Sequence, residues 1–205
     1  GSALDLARWE RLLGTGRIVS PDSYQQMTTP ARLEGGDTRE YGFGLSLLSP
    51  DGPRKVSHTG IGFGYSSVVT YYPESGLTMA ILANRFGYPD ALERQIARHL
   101  LDIPEPDRRD QGVTEQQMAA WAGTYDVGMY GWEPEFTVRD GRLWFTLFGP
   151  DTTYALIRTK EGVLISEEIP DSFEFRFSET PSGTLLSMTT MGTQPWSGYR
   201  TAVHK

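Results

Sequence analysis

No cysteine occurs in the 205 residues, which excludes disulfides, thiolate metal sites and cysteine nucleophiles. Positive charge is also short: 19 Lys and Arg stand against 26 Asp and Glu, a formal net charge of -7. Attraction to phosphate dominates nucleic-acid binding, so nucleic acids and anionic membrane surfaces are poor partners for this chain. Lysine is the scarcest cation, confined to Lys55, Lys160 and Lys205. Long apolar runs are missing; "LTMAILA" falls far short of the ~20 residues that span a bilayer. The opening "GSALDLARWERLL" has neither the basic start nor the continuous apolar stretch of a targeting segment. No His-x-x-x-His pair or dense carboxylate cluster offers a metal site. Gly60-x-Gly62-x-Gly64 precedes a strand and lacks the downstream spacing of a dinucleotide fingerprint, so no cofactor is expected.

What is present folds readily: 38% of the residues are hydrophobic and 12% aromatic. Leu4, Leu6, Trp9, Leu12 and Leu13 recur at three- and four-residue spacing behind the capping pair Ser2 and Asp5, which predicts a first helix ending near Gly14 to Gly16. Ser20 as N-cap with Pro21 at the first helical position predicts a second, ended by Pro30. "ARLEGGDTRE" reads as a polar loop, and "YGFGLSLL" and "RKVSHTG" as strands around the turn "SPDGP". "YSSVVTYYP" and "GLTMAILAN" form a hairpin across Glu74, Ser75 and Gly76. In "YPDALERQIARHLLDI", Leu92, Ile96 and Leu100 share one stripe and Glu93, Arg94 and Arg98 lie on others, which predicts a helix laid on the sheet by its apolar side.

Composition shifts at residues 104–112, "PEPDRRDQG", where prolines, charges and glycine read as a linker. After the helix "TEQQMAAWAG", about eight strands alternate with the turns "RDG", "KEG" and "TPSG", a spacing that predicts a closed up-and-down barrel or a sandwich. Trp121, Tyr125, Phe136, Trp144, Phe145, Phe148, Tyr154, Phe173, Phe175, Phe177 and Trp196 supply a heavy aromatic load that fills a small barrel or lines a ligand cavity, filling being the expectation. The expected class is therefore α+β: an antiparallel sheet flanked by helices over 1–103, a linker over 104–112 and a small all-β barrel over 113–205.

"SHTGIGFG" is the stretch whose chemistry exceeds scaffolding. His58 and Thr59 put an imidazole and a hydroxyl one residue apart on a strand, hence on opposite faces unless the strand bends. Gly60 lets a ligand approach the backbone, and the Ile61 amide beyond it is the material of an oxyanion hole. His99 reads as a surface residue and His204 lies one residue from the end.

From residue 2 to about 101 the chain resembles the C-terminal half of the serine β-lactamase and penicillin-binding-protein superfamily, nearest the class C enzymes and related esterases and D-amino-acid peptidases. "SALDLARW", "YGFGL", "HTG" with "GFGYSS", and "YYPESGLTMAILAN" carry the resemblance, in family order. "MAAWAGTYDV" resembles the opening of lipocalin-like domains appended to such hydrolases. The resemblance implies a serine hydrolase acting through an acyl-enzyme on ester, amide, peptide or β-lactam bonds, in an extracytoplasmic setting. It implies that His58 takes the place of the motif's basic residue, that Thr59 offers its hydroxyl to the substrate, that Gly60 clears the strand and that Ile61 donates its amide to the oxyanion. Histidine in place of lysine removes a permanent charge and favours esters, amides or peptides over penicillins.

The family nucleophile comes from Ser-x-x-Lys, and the residues three before the lysines are Gly52, Ile157 and Ala202. By itself the chain is expected to be inactive, with a bare sheet edge and a bare face covered by a missing N-terminal half or by dimerisation or strand swapping. The alternative expectation is a non-catalytic module whose barrel holds an apolar ligand or a partner.

Overall fold

The computed structural model describes residues 1–49, 52–62, 64–85, 87, 89–128, 133–146, 152–190 and 196–201, and the chain divides into two compact units, Gly1–Pro104 and, beginning at Glu105, the barrel. The centre of the "SPDGP" turn, Phe148 and His204 lie outside the described residues.

The first unit opens with α1 (Ala3–Gly14) and α2 (Pro21–Met27). The predicted caps form: Ser2 Oγ accepts from the Asp5 amide at 3.2 Å and Ser20 Oγ from the Ser23 amide at 3.2 Å. A short ladder, β1 (Ala31–Arg32) with β2 (Thr38–Arg39), stands inside the segment expected to be a loop. "YGFGL" was expected to be a strand and is not one; it makes only the isolated bridge Tyr41 to Ser46. The reason is local. The Phe43 amide donates to Met27 O at 3.0 Å, capping α2, and a Cβ on Gly42 would stand 1.8 Å from that same oxygen. The segment therefore bends over the helix end and packs Leu45 and Leu47 with Leu13 and Val56. A three-stranded antiparallel sheet follows, β3 (Val56–Gly62), β4 (Tyr65–Tyr71) and β5 (Thr78–Ala83), with β4 in the middle, and then α3 (Pro89–Leu100).

α3 corrects the sequence-based expectation. Pro89, Asp90, Glu93, Arg94, Ala97 and Arg98 are its buried residues, while Leu92 and Leu100 are about half exposed at 48% and 54%. Lys55 Nζ donates to Glu93 Oε2 at 2.9 Å and Tyr72 Oη to Glu93 Oε1 at 2.8 Å, so the stripe turned inward is the one whose carboxylate finds hydrogen-bond donors. α1 shows the same inversion: Glu10 and Leu13 are buried, whereas Leu4, Trp9 and Leu12 are exposed.

Among the described residues neither carboxylate oxygen of Glu10 has a hydrogen-bond partner, nor has the nearby Tyr24 hydroxyl. Burial pushes the Glu10 carboxyl up to about 7. The folded chain then holds a proton that the unfolded chain releases near the ordinary value of 4.5, so stability falls as pH rises from there through about 7. Glu10→Gln should leave stability unchanged at pH 4 and raise it by about 2–3 kcal/mol above pH 7, read from urea melts across pH.

The second unit begins with α4 (Glu115–Trp121), capped by Thr114, and continues through eight strands: β6 (Gly123–Asp126), β7 (Glu135–Arg139), β8 (Arg142–Thr146), β9 (Thr153–Arg158), β10 (Leu164–Ser166), β11 (Phe173–Thr180), β12 (Gly183–Thr190) and β13 (Trp196–Arg200). Each pairs antiparallel with its neighbours in sequence, and β13 closes on β6 through Tyr199–Asp126 and Arg200–Tyr125. This is the closed up-and-down barrel that the turn spacing predicts. Tyr125, Phe136, Phe145, Phe173 and Phe175 are fully buried, and their rings touch at centroid distances from 4.6 Å (Phe145–Phe175) to 5.9 Å (Phe173–Phe175). Among the described residues, rings in such contact fill the interior rather than surround an apolar ligand. Arg108 bonds the buried Asp171 at 2.6 Å and Asp110 accepts from the Arg158 amide, so residues 108–111 are tied to the barrel. No described helix is long and apolar enough to cross a membrane.

Candidate active site

β3 carries all four sequence-predicted site residues, His58, Thr59, Gly60 and Ile61, and its register with β4 runs unbroken from Val56–Tyr71 to Gly62–Tyr65. Paired residues of an antiparallel ladder share a face, so His58, Gly60 and Gly62 stand with Val69, Ser67 and Tyr65, and Thr59 stands on the reverse with Val68. The strand does not bend to bring imidazole and hydroxyl together. Only a ligand laid along the edge of β3 would reach both.

That edge is open. Ser57 exchanges both backbone hydrogen bonds with Ser46, at 2.9 and 2.7 Å, on the side away from β4. Backbone groups alternate sides along an antiparallel strand, so Thr59 and Ile61 turn their N–H and C=O groups the same way. No described residue bonds the Ile61 amide there, and its side chain is 55% exposed.

On the His58 face a cleft of about 550 Å³ opens over Gly60, Gly62, Tyr65, Ser67, Leu82 and Asn84. A Cβ on Gly60 would stand 2.7 Å from Ser67 Oγ, so the absent side chain is what leaves room for that hydroxyl. The cleft offers an apolar wall, Leu82, beside a hydroxyl and an amide. Among the described residues no group of three His, Asp or Glu side chains is placed to hold a metal.

His58 is not alone. Tyr41 Oη lies 2.9 Å from His58 Nε2, with the two rings edge to face at 6.1 Å. Tyr41 lies within "YGFGL", whose pattern gives it no role; nothing in a linear pattern pairs residues 17 apart through an irregular bend. The lysine just before β3 points elsewhere: Lys55 is buried against Glu93.

The family model described as Beta-lactamase matches residues 1–103. Penicillin-binding protein 4* of Bacillus subtilis (strain 168) is 30% identical over 156 residues, which is 71% of this chain and 34% of that protein. Two crystal structures of SurE, one with D-Leu, align over 98% of this chain with TM-scores of 0.53 and 0.51 at 23% and 24% identity. They share the fold, and the chain covers 50% and 48% of them. The chain thus spans about a third of the curated relative it matches and about half of these solved structures.

Proposed function

Because this chain belongs to the beta-lactamase family of serine hydrolases, we propose that it supplies the substrate-side strand and one oxyanion-hole amide to an acyl-enzyme hydrolase whose Ser-x-x-Lys lies outside these 205 residues. The Ile61 amide on the open edge of β3 is the observation that carries the reading, since a preorganised, unbonded N–H is what a developing oxyanion needs. The substrate lies along β3, its carbonyl oxygen accepting from Ile61 and its flanking groups reaching His58 and Thr59 from the two faces. The serine attacks the carbonyl carbon, the oxygen takes the negative charge, and collapse expels the alcohol or amine to leave an acyl-enzyme. With histidine where the family motif carries a lysine, esters, amides and peptides fit better than β-lactams.

The nucleophile-bearing segment has surfaces waiting for it. Leu4, Trp9 and Leu12 of α1 and Leu92 and Leu100 of α3 face solvent, and Leu82 marks a β5 edge that pairs with no described strand. A covalent serine probe, with nitrophenyl acetate hydrolysis as reporter, tests the proposal. The 205-residue chain should neither label nor turn over, and both should appear when a segment carrying Ser-x-x-Lys is supplied. Labelling of the chain alone would place the nucleophile within it and overturn the proposal.

A further inference from the structure

We propose that Tyr41 is a positioning residue: by donating its hydroxyl hydrogen to His58 Nε2, it holds the neutral imidazole in the Nδ1–H tautomer, so that His58 offers a hydrogen-bond donor to substrate with or without charge. The identity of the acceptor, a carbonyl or carboxylate oxygen of the substrate, rests on the hydrolase reading; the tautomer is a property of this chain alone.

The direction of the bond follows from acid strength. A phenol titrates near ~10, whereas the N–H of a neutral imidazole is far less acidic, and the imidazole lone pair is the stronger base. O–H to N is therefore the favoured arrangement, and the proton of the neutral ring must sit on Nδ1. That nitrogen carries no hydrogen bond to a described residue. When the ring takes a second proton, the phenolic oxygen turns from donor to acceptor and Nδ1 still donates. A lysine in this place gives charge and donor together; the Tyr41–His58 pair keeps the donor when the charge is gone.

The pair is built rather than incidental. Tyr41 is bridged to Ser46, Ser46 to Ser57, and Ser57 precedes His58 on the strand. The Tyr41 carbonyl accepts from the Ala31 amide at 2.9 Å and its amide donates to Arg39 O at 2.7 Å. Tyr41 is the titratable group set against His58 from the loop; opposite it, β4 presents Val69, which has none. Tyr41 is 39% exposed, so the bond adds little to stability and a structural role predicts little from its loss.

Imidazole nitrogen spectra decide the tautomer. The chain has three histidines, and His58→Asn assigns the signal. Above neutral pH, His58 should show a protonated Nδ1 and a bare Nε2, and Tyr41→Phe should convert this to an averaged signal dominated by Nε2–H, with Tm nearly unchanged. An Nε2–H signal in the unsubstituted chain, or one that ignores Tyr41→Phe, would overturn the proposal. In the hydrolase completed by the Ser-x-x-Lys segment, Tyr41→Phe should raise KM several-fold at pH 8 for a nitrophenyl ester with a second carbonyl in its acyl chain. At the lower pH where the spectra show the ring doubly protonated, both nitrogens donate and the difference should vanish. An equal loss at both pH values would sink the donor role. Absence of serine labelling in the completed protein would instead refute the hydrolase reading, while the spectra still decide the tautomer.

Discussion

Ile61→Pro should lower kcat of the completed hydrolase by about 10²–10³-fold, the usual cost of one oxyanion-hole donor. The substitution puts the proline Cδ where the amide hydrogen stood, so the donor is lost. Because the Ile61 amide points away from β4, proline there deletes no ladder bond, and an edge strand tolerates it on its outward side. Melting of the first unit should therefore change little, which separates the result from unfolding. Ile61→Ala keeps the amide and removes a side chain that is 55% exposed, so it should retain most of the rate. Equal losses from proline and alanine, or an unchanged kcat in the proline variant, would show that this amide does not receive the oxyanion.

Glu93→Ala should destabilise the first unit by about 3–5 kcal/mol, read from urea denaturation. Glu93 is fully buried and accepts from both Lys55 and Tyr72, so alanine takes the acceptor away from an ammonium and a hydroxyl that are themselves nearly buried. Burial and the neighbouring carboxylate push the Tyr72 hydroxyl up. Replacing all three by apolar groups of similar size, Lys55→Met, Tyr72→Phe and Glu93→Leu, should recover most of the loss. Were Glu93→Ala to cost less than about 1 kcal/mol, the cluster would be hydrated and the inversion of α3 would need another cause.

The two substitutions probe features that lay at different depths in the sequence. Helix starts were legible because a cap is local: Ser2 with Asp5 and Ser20 with Pro21 act within one turn. The barrel was legible through its hairpins; "RDG" puts Asp140 and Gly141 at the positive φ of 50° and 70° between β7 and β8. "YGFGL" misled because its alternating pattern mimics a strand, while its actual role is to bend over the end of α2. The face of α3 was illegible for a sharper reason. Periodicity reports that stripes exist; which stripe turns inward depends on Lys55 and Tyr72, 38 and 21 residues away.

By itself the sequence determined the helices and most strands, the run of about eight C-terminal strands, the order of family motifs and the lack of a Ser-x-x-Lys, all of which follow from residue identity and short-range spacing. Tertiary structure decided that the Ile61 amide faces an open edge, that Tyr41 meets His58 and that leucines of α1 and α3 face out while a glutamate of each faces in. Those outcomes depend on hydrogen-bond direction and desolvation, which are set by groups brought together from distant parts of the chain.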